Sequence, residues 1–171
     1  MPTLKRNIEL KARIGDIDAA MRTARELATE DRGMIRHIDT YFKVSKGRLK
    51  LRVTGRGDAE LIWYQRPDET GTRLSQYTVH PVNDPDSLKT LLTSAFGLKR
   101  VVDKNRYVFM HESVRIHIDS VSGLGEFIEL EALLDRGGSE DEGREKVLRL
   151  AERFGVTEGD LLGASYSDML E

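Results

Sequence analysis

The chain has 171 residues, a net charge of −2 and no cysteine, which gives room for one domain with a sizeable core and excludes disulfides, thiolate metal sites and a broad nucleic-acid surface. Its four histidines show no zinc-like clustering, so a metal would be held by oxygen ligands, and no stretch has the length of a membrane span or the form of a secretory leader. The protein is therefore expected in the cytoplasm as a single domain over residues 1–171, with no membrane or nucleic-acid partner, although 33% of its residues are charged against about 25% in an ordinary chain.

Residues 5–14 alternate, with Ile8, Leu10, Ala12 and Ile14 on one face and Glu9, Lys11 and Arg13 on the other; this is the period of a strand. Asp16 caps a helix predicted to run to about Arg32, with Ala20, Ala24, Leu27 and Ala28 as its apolar stripe and Gly33 as its stop. A second strand is predicted over 34–43, a third over 48–54 and a fourth over 59–66, separated by turns at 45–47 and 55–58. A loop over 67–71 leads to a fifth strand at 72–81. Asp84 and Pro85 open a second helix, whose buried side is expected to hold Leu88, Leu91, Leu92, Ala95 and Phe96, with Gly97 ending it. Strands follow over 98–111, 113–121 and 125–134. A polar linker over 135–141 precedes a helix with a capping-box start, Ser139 with Glu142, and an apolar face of Val147, Leu148, Leu150, Ala151 and Phe154. About eight strands punctuated by turns, with helices to pack outside, predict an α+β domain built on a closed antiparallel barrel or tunnel.

Most strands alternate charge with apolar residues. Such a pattern fits a sheet with one face in water, but the signs are segregated. Lys50 and Arg52, with Lys104 and Arg106, give strands that carry only cations, whereas Glu129 and Glu131 give one that carries only anions. Segregated charge points to binding rather than solvation. The amphipathic helices also need an apolar surface, and the outer face of the sheet would supply it. Glu129 and Glu131 lie about 6.6 Å apart along a strand and face the same way, so both can converge on a hard cation. If the sheet closes, its first strand can meet its last and add Glu9. Inward cations repel one another, by about 4 kcal/mol for a pair 4 Å apart at an effective dielectric near 20. They therefore predict a polyanion, and a triphosphate has enough charge and acceptor oxygens.

At this point the motifs resemble a known superfamily. Asn7 to Arg13 resembles the opening ExExK strand of the CYTH proteins, the triphosphate-tunnel metalloenzymes. Asp39-Thr40-Tyr41-Phe42 resembles their second strand and Leu49-Lys50-Leu51-Arg52 their basic strand. Lys104-x-Arg106, His117-x-Asp119, Glu129-Leu130-Glu131 and Ser165-Tyr166 follow in the family's order. The resemblance implies an eight-stranded tunnel that binds a triphosphate with Mg²⁺ or Mn²⁺, and it is strongest with the class IV adenylate cyclase-like branch, which converts ATP to cyclic AMP and pyrophosphate. Hydrolysis of inorganic, thiamine or nucleoside triphosphate is the alternative, and a non-catalytic nucleotide or polyphosphate binder is an alternative of another class. The resemblance implies that Glu9, Glu129, Glu131 and Asp119 hold metal. Lys11, Arg13, Lys50, Arg52, Arg66, Lys104 and Arg106 would grip the phosphates, with Lys11, Arg52 and Arg106 as the catalytic cations. His117 reads as structural, and Tyr41 and Trp63 as core. Asn7 stands where the family has a first glutamate; an amide offers an oxygen without charge, so one firmly held ion is expected before two. Monomer and dimer both stay open.

Overall fold

The computed structural model describes residues 3–135 and 137–170; residues 1, 2 and 171 of the expected domain, and residue 136 of the expected linker, lie outside the described residues. Eight strands form one closed antiparallel barrel: β1 (Lys5–Arg13), β2 (Glu30–Phe42), β3 (Arg48–Thr54), β4 (Ala59–Gln65), β5 (Arg73–Pro81), β6 (Leu98–His111), β7 (Val114–Val121) and β8 (Gly125–Leu134). Their order around the barrel is β1-β5-β4-β3-β2-β6-β7-β8, and β8 closes onto β1. The closure expected from the sequence is thus present, with Glu9 directly opposite Glu131 and Lys11 opposite Glu129.

The larger apolar core lies outside this barrel, while a second, smaller one joins the inward-facing Tyr41, Val102, Val121 and Phe127 to Tyr166. The outward residues of β1, β7 and β8, among them Ile8, Leu10, Ile116, Ile118, Ile128 and Leu130, are almost fully buried. They are covered by two helices, α1 (Ile17–Leu27) through Ala20, Met21 and Ala24, and α3 (Glu140–Arg153) through Val147, Leu150 and Ala151. A smaller cluster sets Leu92 of α2 (Pro85–Phe96) on Phe42 and Leu51. Each of these three helices starts on a side-chain cap: Asp16, Asp84 and Ser139 accept from the backbone N–H groups of Ala19, Ser87 and Glu142.

Four local expectations are corrected. Helix α1 stops at Leu27 rather than near Arg32, because the chain is already pairing with β6: the Thr29 N–H donates to Met110 O at 2.8 Å, and Glu30 lies opposite Met110. Gly33 stops no helix. Its φ of 75° places it in a bulge, where the β2–β6 register shifts between Asp31 and Met34; glycine's tolerance of positive φ serves helix ends and bulges alike. On α2 only Leu92 is buried, while Leu91 and Phe96 are 63% and 49% exposed, since the helix touches the barrel along a single line. Leu148 of α3 is likewise exposed.

Helix α3 approaches the barrel so closely that a Cβ on Gly143 would come within 3.0 Å of Ile8 Cγ1 and 3.1 Å of Leu134 Cδ2. Gly143→Val should force helix and sheet apart and destabilise the fold by roughly 1–3 kcal/mol, read as a lowered midpoint in urea unfolding at unchanged slope.

Candidate active site

Alternation turns one face of every strand into the barrel, and on this chain that face carries most of the buried charge. The interior holds a cavity of about 920 Å³, in keeping with an eight-stranded barrel that encloses one small ligand. It has a cationic wall and an acidic corner.

The cationic wall comes from β2, β3 and β6. Asp39, fully buried, accepts from Arg52 Nε and Nη2, both at 2.8 Å, and from Lys50 Nζ at 2.9 Å, with Lys104 Nζ a further 3.6 Å away. One carboxylate thus faces three cations. Burial opposes its charge, but Arg52, Lys50 and Lys104 hold Asp39 well below the usual carboxylate range. Burial, reinforced by Arg52, lowers Lys50 to about 8. Burial, reinforced by Arg106, lowers Lys104 to about 7. Surplus positive charge with little water around it is a site prepared for an anion.

The acidic corner comes from β1, β7 and β8. Glu129 lies 3.3 Å from Lys11 Nζ and 3.1 Å from Arg106 Nη2; burial works against its charge, yet these two cations keep it ionised. Glu131 accepts from Arg115 Nη2 at 2.6 Å. Glu9 is bound through one oxygen by Arg66 Nε at 2.7 Å and Arg73 Nε at 3.0 Å. Burial raises its pKa, as do Glu131 and Glu129, while Arg66 and Arg73 lower it. The His117 ring stands 3.9 Å from Glu129 and 3.8 Å from Glu131, with Nδ1 buried and unpartnered. Burial, together with Arg106, lowers its pKa, so the ring is neutral and can offer a lone pair. Ligand atoms of His117, Glu129 and Glu131 lie within 4.8 Å of one another. Asn7 adds a buried amide oxygen with no partner, lining the same cavity. Two carboxylates, a neutral imidazole with a free nitrogen and an unsatisfied amide oxygen are donors that fit a divalent ion.

The chain's last segment closes one end. Leu161 pairs with Ala12, and the Leu162 N–H donates to Lys11 O. The Gly163 carbonyl accepts from Arg66 and Arg73 at 2.9 and 2.7 Å. Tyr166 lies under Lys11 Nζ, 3.8 Å from the ring centroid, and its hydroxyl donates to Asp119 at 2.8 Å.

The structure therefore brings Glu9, Lys11, Lys50, Arg52, Arg66, Lys104, Arg106, Glu129 and Glu131 to one cavity. It places two expected residues elsewhere. Arg13 is exposed beyond the closed end, 5.0 Å from the Phe127 ring centroid and donating to Leu124 O. Asp119 is fully buried behind the wall, both oxygens accepting from Arg106 at 2.7 Å, one also from Tyr166; it positions a cation. Of the other expectations, Tyr41 is buried, while Trp63 donates from its indole to Lys46 O near the surface. Sequence reasoning gave no role to Asp39, Arg73 or Arg115. Asp39 and Arg115 lie at two-residue steps from Tyr41 and His117, which the structure places on the cavity lining, so strand parity could have marked them. Arg73 had no such signal, because its strand carries no other charged inward residue.

The sequence matches the family model of the CYTH domain over residues 5–166. No curated protein matches it. Among solved structures, the PH1012 protein from Pyrococcus horikoshii OT3 superposes with a TM-score of 0.85 at 22% identity, covering 96% of this chain and 99% of that one. A candidate adenylate cyclase from Vibrio parahaemolyticus gives 0.80 at 20% identity, with 96% and 97% covered. HpAC1 from Hippeastrum, a candidate adenylyl cyclase with a dominant triphosphatase activity, gives 0.63 at 14%, with 96% and 94% covered. Likeness at these identities establishes the fold. Among the described residues no helix is long and apolar enough to cross a membrane.

Removing the carboxylate that holds three cations together should be costly. Asp39→Asn is expected to destabilise the ligand-free protein by about 3–5 kcal/mol, measured by thermal unfolding at low salt. Addition of inorganic triphosphate should restore a larger share of the melting temperature than it adds to the wild type.

Proposed function

The chain belongs to the CYTH domain family, and from that premise and the geometry of its cavity we propose that it is a divalent-metal-assisted enzyme that binds a triphosphate inside the tunnel and breaks one of its phosphoanhydride bonds. The observation that carries this reading is the opposition of a cationic wall with surplus charge to a compact acidic corner within one cavity. Phosphoryl transfer depends mainly on positioning and electrostatics, and both are built in.

Lys50, Arg52, Lys104 and Arg106 would bind the phosphate oxygens. The two arginines are already locked by Asp39 and Asp119, so they lose little freedom when an anion arrives. Lys11, between Glu129 and the Tyr166 ring, would neutralise the charge that develops on the leaving phosphate. Glu129 and Glu131, with His117, Glu9 and Asn7 at hand, would hold Mg²⁺ or Mn²⁺, which when bound supplies Lewis-acid polarisation of a phosphoryl oxygen. Attack by a ribose 3′-hydroxyl at the α-phosphorus would release pyrophosphate and leave a cyclic nucleotide. Attack by water at the terminal phosphorus would release orthophosphate. The clamp serves either nucleophile, in line with the Hippeastrum protein, a candidate cyclase that is mainly a triphosphatase.

The test is product analysis after incubation with ATP, thiamine triphosphate or inorganic triphosphate and Mg²⁺ or Mn²⁺. Cyclic AMP with pyrophosphate, or orthophosphate, supports the reading; tight binding without any product overturns the enzyme and leaves a binding protein. Glu129→Gln with Glu131→Gln should lower metal-dependent turnover roughly 100-fold or more, and unchanged turnover would remove the acidic corner from the site.

The buried lysines set a pH dependence. With Lys104 near 7 and Lys50 near 8, both lose protons in the free protein as pH rises from 7 to 9, and a bound polyanion draws them back. Triphosphate affinity should therefore fall across this range and binding should take up protons. Calorimetry in two buffers of different ionisation enthalpy reads the uptake, and its absence at pH 8 would contradict the assignment.

A further inference from the structure

Strand β7 turns Arg115 into the cavity two residues from His117 and directly opposite Glu131 of β8. Its fastening differs from that of the clamp arginines. Arg52 and Arg106 each lay Nε and Nη2 across both oxygens of one fully buried carboxylate, Asp39 or Asp119, and neither carboxylate belongs to the acidic corner. Arg115 holds its carboxylate through Nη2 alone, 2.6 Å from Glu131 Oε2. The same nitrogen has a long contact of 3.5 Å to the Tyr77 hydroxyl. Its Nε is buried with no acceptor. The Arg115 side chain is 28% exposed, against 13% for Arg52 and 6% for Arg106, so it has room to turn where they have little.

The carboxylate that Arg115 holds is also one of the donors of the acidic corner, with Glu129 and His117. An oxygen that accepts a short bond from a guanidinium is not free for a metal ion, and a divalent ion beside it repels that guanidinium. Arg115 and the ion therefore compete for Glu131. Once displaced, the guanidinium still faces the cavity, because its strand holds it there. Its Nε already lacks an acceptor, and the acidic corner is then taken. The acceptors left to it are the oxygens of a bound polyanion, which suit its fork.

Given the metal and triphosphate reading above, on which this rests, we infer that Arg115 is a further catalytic residue, parked on Glu131 in the free protein, released when Glu131 takes the divalent ion, and then set on the phosphate oxygens of the bound triphosphate. There its permanent charge stabilises the negative charge that builds on the phosphoryl oxygens as the anhydride bond breaks. It gives up no proton and forms no covalent bond. The exchange also couples the two ligands. A triphosphate that draws Arg115 away clears Glu131 for the ion, and Glu131 taking the ion frees Arg115 for the triphosphate.

Arg115→Ala separates this role from a structural one, because it should move the two affinities in opposite directions. Binding of Mn²⁺ to the ligand-free protein, read from the paramagnetic resonance of the free ion, should tighten roughly tenfold, since the competitor for Glu131 is gone. Affinity for an imido-bridged inorganic triphosphate at saturating Mn²⁺ should weaken roughly tenfold, and turnover of whichever triphosphate the wild type cleaves should fall roughly 100-fold. A side chain that only shapes Glu131 would weaken both ligands together. Arg115→Lys keeps the charge and loses the fork; it should show the same opposite shifts at smaller size, which guards against an alanine variant that does not fold. Unchanged or weaker Mn²⁺ binding in both variants overturns the parking on Glu131. Unchanged triphosphate affinity and turnover overturn the transfer to phosphate. A wild type that binds neither Mn²⁺ nor the imido compound overturns the reading of the site itself, on which the role of Arg115 depends.

Discussion

The closure of β8 onto β1 governs the rest of the molecule. It turns one face of eight strands inward at once, and this chain has placed charge on that face. A buried charge is tolerable only when it is paired, so the interior becomes a mesh of ion pairs. Asp39 serves Lys50 and Arg52, Asp119 serves Arg106, Glu9 serves Arg66 and Arg73, and Glu131 serves Arg115. Such a mesh contributes little net stability, because the Coulomb gain is set against desolvation. The driving force for folding has to come from elsewhere, and it comes from the outer face, where β1, β7 and β8 are sealed by α1 and α3.

That division of labour separates stability from chemistry in space. Outward positions decide whether the barrel forms, and inward positions decide what it holds. The pairing is also incomplete by design of the strands. Asp39 has more cations than it can satisfy, while Asn7, His37 and His117 keep polar atoms without partners. Buried unsatisfied groups are rare in a finished interior, and here they cluster along one cavity. The missing partners are those that the proposed metal ion and polyanion would bring.

Much of this was legible in the sequence because it rests on period-two alternation. Once charge alternates with apolar residues on strand after strand, parity alone assigns Lys50, Arg52, Lys104, Arg106, Glu129 and Glu131 to one face, and the amphipathic helices say which face is covered. What escaped lay where parity is silent or is not enough. Asp119 has inward parity, yet it is shielded by the guanidinium it binds. Arg13 sits one step past the cavity's closed end, which no local pattern marks. Arg73 is the lone inward charge on its strand and is tied to the cavity only through its pairing with Glu9. The length of α1 was misjudged because its last predicted turn is claimed by β6, a partner far away in sequence.

The closing segment carries a different lesson. It grips the site's cations through main-chain carbonyls, above all that of Gly163, where a side chain would run into the backbone of Asp68 at 3.0 Å. A main-chain acceptor is the same whatever residue supplies it. Natural variation at Ala164 can therefore drift with the fastening intact, and an alignment would score that position as dispensable. The constraint should surface instead as an intolerance at Gly163 and a fixed spacing from Leu161 to Tyr166, a signature of loop length and shape rather than of residue identity.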